Sequence, residues 1–208
     1  MKHSISIKTI NGVLSISDFK ERRVSKSDVV GVVLQTETIG MVISLEQWSE
    51  IWCSKKNRKV FNEECSEAEA LLTLSGLELT RNIAKQNEED GEGMTAALRC
   101  WQYEKGNLQW YLPCLYELGT IIAYRDELNK VLGMLGVDLI YEYSRFWSSS
   151  EREFGHAWYV CPFSLIFNSD GEYRTFSVRA VSEFSPLQRY DVCRAKNENV
   201  RNTQKNPL

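Results

Sequence analysis

The chain carries few of the side chains from which catalytic or metal centres are built, and their spacing narrows the choice further. Its two histidines, His3 and His156, stand far apart. The six cysteines (Cys53, Cys65, Cys100, Cys114, Cys161 and Cys193) contain no C-x-x-C pair, so a zinc centre of Cys and His ligands is not expected. Scattered in this way and without a secretion signal, they are expected to be free thiols, buried as small hydrophobes. His156 has Glu151 and Glu153 close by and could act as a general base. Acid–base work, however, needs two groups whose environments push their pKa values apart, and the sequence gives these no such difference. There is no Gly-rich phosphate loop and no G-x-S-x-G elbow. The acidic run from Glu88 to Gly93 lacks the alternating oxygen ligands of an EF-hand and reads as a solvated loop. Contact rather than catalysis is the expectation, with no catalytic residue, metal or cofactor assigned.

Charge excludes one class of partner. The formal net charge is −3, whereas phosphate binding needs a basic face, so nucleic acid is not an expected ligand. Lys20, Arg22, Arg23 and Lys26 do cluster, but Asp18, Glu21 and Asp28 interleave with them. No stretch reaches the ~18 apolar residues of a membrane span. The opening MKHSISIKTING has no signal-peptide core, which predicts a cytoplasmic protein, or one that reaches a virion or cell surface by another route. Aromatic residues make up 11% and crowd between Trp101 and Phe184, where they can build a small core and also a binding surface.

The elements that must position these residues follow from periodicity. Ile5 and Ile7 alternate with polar neighbours, Asn11-Gly12 fits a type I′ turn, and Leu14 and Ile16 resume the alternation, which predicts a hairpin. Val29 to Leu34 is apolar on both faces and predicts a central strand, with Met41 to Leu45 beside it. Ser44 with Gln47 fits a helix start carrying Trp48, Ile51 and Trp52. The segment between Cys53 and Phe61 is a polar loop. Ser66 with Glu69 fits a second capping box, opening a helix through Leu71, Leu72, Leu79 and Ile83 with Gly76 in its middle. Met94, Ala97, Leu98 and Trp101 form a short amphipathic helix. Pro113 suits a first helical position, and two helical pieces follow, broken near Tyr124-Arg125 and ended by Gly136. Beyond Tyr141 the pattern is strand-like: a short strand at Phe146-Trp147, a long one from Ala157 to Phe167, a turn at Asn168 to Gly171, and a partner strand from Tyr173 to Val181. Pro162 implies an edge or a bulge in the long strand. Helices grouped in the middle and antiparallel strands at both ends make this an α+β chain.

Four pieces recur in a fixed order: Trp110-Tyr111-Leu112-Pro113 with Glu117-Leu118, then Phe146-Trp147-Ser148-Ser149-Ser150, then Ala157-Trp158-Tyr159-Val160, then Val178-Arg179-Ala180-Val181. Together they resemble the pattern of C-type-lectin-like domains of the formylglycine-generating-enzyme type. That group includes the variable proteins of diversity-generating retroelements and related domains on bacterial surfaces. Thr95-Ala96-Ala97 is similar to the usual lead-in, so the resemblance spans about residues 94–184. It implies a C-type-lectin-like fold with short antiparallel strands and two or more helices. Residues 1–93 would be an N-terminal strand-rich segment packed on or part of the same domain, and 185–208 a polar tail.

The resemblance also implies roles. The motif residues would hold the scaffold, with Arg179 forking its guanidinium to carbonyls or a carboxylate, Glu117 being one candidate. The binding face would come from the positions between motifs: Glu151, Arg152, Glu153, Phe154, His156 and Tyr159, with Tyr173, Arg174 and Phe176 across the hairpin. The redox cysteine pair of the formylglycine-generating enzymes has no match in Cys161 and Cys193. The Glu-Pro-Asn or Gln-Pro-Asp loop of calcium-dependent sugar binding is absent as well. The expectation is therefore a non-enzymatic ligand-binding protein, retroelement-diversified or a phage receptor-binding protein, with an unidentified protein or glycan as partner. A surface adhesion component is the alternative, and an enzyme of the formylglycine-generating type a distant third.

Overall fold

The computed structural model describes residues 3–54, 65–73, 75–153 and 155–185. The polar loop expected between Cys53 and Phe61 falls almost wholly outside these described residues, as do Phe154, Cys193 and nearly all of the expected polar tail. In chain order the elements begin with β1 (Ser4–Thr9), β2 (Gly12–Leu14), α1 (Ile16–Glu21), β3 (Val29–Gln35), β4 (Gly40–Ser44) and β5 (Trp48–Ile51). The middle is helical: α2 (Glu67–Leu72), α3 (Leu77–Glu89), α4 (Ala96–Trp101), α5 (Leu115–Ala123) and α6 (Arg125–Leu135). The last third is β6 (Phe146–Glu153), β7 (His156–Cys161), β8 (Ile166–Gly171), β9 (Thr175–Val178) and β10 (Val181–Glu183). This is an α+β fold with two five-stranded sheets, ordered β10-β4-β3-β1-β2 and β5-β9-β6-β7-β8. Strands from the first 93 residues thus pair with strands from the last third in both sheets: β4 with β10, and β5 with β9.

Local signals decide several elements. β3 is the central strand of its sheet and buried along Val29 to Leu34, as its unbroken apolar run requires. Ser66 and Glu69 close the expected capping box on α2. Tyr124 separates α5 from α6, and Gly136 ends α6 in a left-handed conformation.

Other expectations are corrected. The β1–β2 turn closes on Thr9 and Gly12 with Ile10 and Asn11 between them, one residue earlier than expected, and only Gly12 takes a positive φ. Ile16 opens α1 instead of continuing the hairpin, because the Ser15 side chain accepts the Asp18 N–H as an N-cap. Ser44 starts no helix. Trp48 to Ile51 is the strand β5, held by backbone pairing to β9 more than a hundred residues away. The expected helix from Ser66 onward is two, and Gly76 caps the second instead of lying inside the first. Pro113 precedes α5, whose cap is Cys114. The long strand is two strands: residues 162–165 turn the chain, so Asn168 to Gly171 belongs to β8 and is no turn. Pro162, unable to donate to a ladder, stands at that break.

The core forms two clusters. α5 and α6 pack Leu115, Leu118, Ile121, Leu128 and Leu132 with Ile7, Val32, Leu34, Phe146 and Trp158. α3 and α4 pack Ile83, Ala96 and Ala97 with Val30, Val33, Trp52, Trp110, Trp147, Tyr159 and Val178. Both clusters take side chains from both sheets, so the strands are covered by helices from two sides. No helix among the described residues is long and apolar enough to cross a membrane.

Candidate functional site

The four sequence pieces meet in one place. Tyr111 bridges Val181 through reciprocal backbone hydrogen bonds of 2.8 and 2.9 Å. The Ser149 N–H donates to Pro113 O at 2.8 Å, and the Leu115 N–H donates to Ser150 Oγ at 3.1 Å. β6 passes close beneath this segment because it bulges. Trp147 faces Tyr159 and Glu151 faces Ala157, so four steps on β6 match two on β7. Ser148 stabilises the bulge by donating its hydroxyl to Trp158 O at 2.8 Å and accepting the Ser150 N–H. Small hydroxyl side chains are needed there because all three serines are buried.

Two buried charges tie the scaffold together. The Glu117 carboxylate accepts three hydrogen bonds, from the Gly76 N–H (2.9 Å), the Cys114 N–H (2.8 Å) and the Tyr111 hydroxyl (2.7 Å). Burial raises its pKa against the pull of those donors. Burial first, and then the Glu117 charge, push up the pKa values of the Tyr111 hydroxyl and the Cys114 thiol. Arg179 donates to Ser44 O (3.2 Å), Asp138 O (2.8 Å) and Gln47 Oε1 (3.2 Å). Burial brings its pKa down to about 10. The expected Glu117–Arg179 pair does not form: each group is held by other partners, and Arg179 uses carbonyls and an amide.

On this scaffold the margin formed by the β6–β7 turn, β8 and the start of β9 carries the exposed polar and aromatic groups. Glu172 fixes its position. Its N–H donates to Gly155 O at 3.1 Å, and its carbonyl accepts the Trp52 and Cys53 N–H groups at 2.8 and 3.1 Å. Asp170 lies between two guanidinium groups, 3.6 Å from Arg145 Nη1 and 3.7 Å from Arg174 Nε. Arg145 covers the Tyr159 and Phe176 rings at 5.5 and 5.3 Å, and Arg174 covers Tyr173 at 5.4 Å. Trp147, Tyr159 and Phe176 pack ring to ring below. Arg152 covers Trp158 at 5.2 Å and donates to Ser169 Oγ at 2.6 Å. An arginine on an aromatic face keeps its fork of donors planar and pre-aimed, which suits a carboxylate, a peptide carbonyl or a hydroxylated ligand.

The residues expected to bind are therefore only partly united. His156, Tyr173 and Arg174 are exposed, and Arg152, Glu153 and Phe176 are half-buried. Glu151 and Tyr159 are buried, so neither presents a contact surface. Cross-strand partners share a side of the sheet. Tyr159 and Asn168, and Ala157 and Asp170, consequently face one way with Arg145, while Trp158 and Ser169 face the other with Arg152. Sequence reasoning missed Arg145 and Asp170. Alternation through Asn168 and Asp170 could have exposed the second, had the turn been placed at Pro162. Among the described residues, no group of three or more His, Cys, Asp or Glu side chains is gathered to hold a metal ion.

No protein-family model matches the chain, and no curated protein sequence does. Among solved structures, a fimbrial protein from Bacteroides ovatus ATCC 8483 matches over 86% of this chain with a TM-score of 0.64 and 13% identity. The match covers 48% of that protein, so the chain spans about half its length. At this identity the likeness is one of fold.

Proposed function

We propose that the chain is a non-enzymatic ligand-binding module of C-type-lectin-like build, presenting the Arg145–Asp170–Arg174 margin to a macromolecule in a surface assembly. The observation that carries this reading is the pair of arginines that share Asp170 while each rests on an aromatic ring. An exposed tyrosine and pre-aimed guanidinium groups over a rigid aromatic scaffold are the composition of a recognition surface. The meeting of the four motif pieces at one buried junction supports the C-type-lectin-like assignment. The likeness to a fimbrial protein favours the adhesion version, with a protein or glycan ligand. The groups with the largest pKa shifts, Tyr111, Cys114, Arg179, Cys100 and Tyr103, are buried or half-buried in the scaffold and none belongs to the margin, which favours binding over catalysis.

The test is a screen of glycans and surface proteins against the wild type and a variant carrying Tyr173→Ala and Arg174→Ala. Both side chains are exposed, so the variant folds and loses its ligand. Undiminished binding by the variant puts the site elsewhere. A retroelement-diversified version makes one further demand: a near-copy of the 3′ coding segment, differing at adenines, beside a reverse transcriptase gene.

A further inference from the structure

At the other end of the β7–β8 hairpin the surface changes character. The hairpin is six residues long, so this tip stands roughly 17 Å from the Gly171–Arg174 end of the margin, with Arg145 the margin residue nearest to it. Tyr141, Tyr143, Phe163, Leu165 and Ile166, five of the nine large hydrophobic residues that the described surface exposes, lie there on two short loops and the first residue of β8. The loops are joined: the Phe163 N–H donates to Glu142 O at 2.8 Å, and the Tyr143 and Phe163 rings stack at 5.0 Å. Beside them is a cavity of about 400 Å³ between the α5–α6 junction and the turn, walled by Ile122, Ala123, Pro162 and Leu165 and rimmed by Arg125, Asp126 and Glu142. Leu165 holds a φ of 52°, a left-handed conformation that a branched side chain disfavours, and it does so with its side chain 65% exposed. That conformation closes the turn, where the Leu165 N–H donates to Cys161 O at 3.1 Å, and it leaves the apolar side chain facing solvent.

We infer that this tip is a self-association surface that takes a second copy of the chain through a twofold contact. Three observations select a second copy. The first is area. Exposures of 57, 72, 62, 65 and 56% on five large side chains, at about 200 Å² each, leave on the order of 600 Å² open per copy. Doubled, that reaches the roughly 1,200 Å² at which specific interfaces begin. The second is shape. An exposed Phe163 forms one lip of the cavity, so a twofold axis brings the lip of each copy against the open hollow of the other. The third is charge. Arg125 is bonded to Asp126 with Glu142 on the same rim, so the rim carries both signs and pairs with its own rotated image. Pairing through the neighbouring β8 edge is discouraged, because the Ser169 and Gly171 N–H groups are occupied by the Asn168 and Asp170 side chains. The contact is therefore made by the loops, and it leaves the Tyr173–Arg174 end of each margin clear.

Sedimentation equilibrium of the full chain over the micromolar to submillimolar range tests this. The wild type is expected to dimerise, and Phe163→Asp to weaken the dimer by roughly thirtyfold or more. Leu165→Gly guards against misfolding as the cause: glycine accepts the left-handed φ, so this variant keeps its fold by circular dichroism while also weakening the dimer. Tyr173→Asp, at the opposite end, leaves the dimer constant unchanged. A wild type that stays monomeric throughout overturns the proposal and leaves the tip to a different macromolecule. A dimer insensitive to both Phe163→Asp and Leu165→Gly overturns it as well. Neither result bears on ligand binding at the Arg174 margin, which the double variant above reads separately.

Discussion

Replacing Glu117 by alanine should remove most of the stability of this fold, while glutamine should be tolerated. The carboxylate is 1% exposed and accepts from three buried donors belonging to three separate segments: Gly76 before α3, Cys114 at the start of α5, and Tyr111 in the bridge to Val181. Alanine strands all three. Each unsatisfied buried donor costs about 1–3 kcal/mol. Removing the buried negative charge returns part of that, since burial had raised the pKa of Glu117. A net loss of about 3–5 kcal/mol follows, comparable to the whole stability of a marginal domain. Glutamine can keep its amide oxygen on the Gly76 and Cys114 N–H groups and turn its NH₂ toward Tyr111, whose hydroxyl then accepts. Its cost should stay near ~1 kcal/mol. The pH dependence separates the two further. Because the folded pKa of Glu117 is raised, the folded state holds this proton more tightly than the unfolded chain. Wild-type stability therefore falls as pH rises from the ordinary carboxylate range through that raised value, and the deficit is constant above it. Glu117→Gln removes this proton, so the stability of wild type relative to Glu117→Gln should decline with rising pH across that window. Urea unfolding followed by tryptophan fluorescence at several pH values measures both effects. If alanine costs no more than glutamine, or the difference between wild type and Glu117→Gln is flat with pH, the staple argument is wrong.

Gly76→Ala should be nearly as damaging as the loss of Glu117. A Cβ there would fall within 3.0 Å of Leu112 O, Cys114 N and Ser149 Oγ, two of them backbone, for an expected loss of about 3 kcal/mol in urea unfolding. Arg179→Lys keeps the charge but not the fork. A single ammonium cannot reach Ser44 O, Asp138 O and Gln47 Oε1 together, so a loss of about 2–3 kcal/mol should appear in the same assay. Ser66→Ala removes an exposed capping box and should cost only ~1 kcal/mol, read as a small fall in thermal midpoint.

Much of the fold was legible because its signals are local. β3 is an unbroken apolar run, α2 begins at a Ser-x-x-Glu box, and α6 ends at a glycine. Each of these is decided by contacts within a few residues. The errors cluster where the deciding contact is distant. Nothing within Trp48 to Ile51 distinguishes a strand from the first turn of a helix, and its pairing with Thr175 to Val178 settled the matter. The turn at 162–165 was hidden because the residues on both sides favour strands equally, and moving it shifted Asn168 to Gly171 from a loop into an edge strand. That shift concealed Asp170, and with it the paired arginines of the candidate margin.

Residue order and composition were enough for an α+β chain with a dense aromatic third and a net acidic charge. These depend on composition and on periodicities of two and about four residues. Tertiary structure alone decided which of the expected contact residues reach solvent, burying Glu151 and Tyr159 and leaving Tyr173 and Arg174 out. It also decided that Glu117 binds Tyr111 and two N–H groups rather than Arg179, and that loops twenty residues apart join into one apolar tip. The physical reason is common to all three. Burial and hydrogen-bond partnership are properties of the surfaces brought together by chain closure, and residue types along the chain constrain those meetings without specifying them.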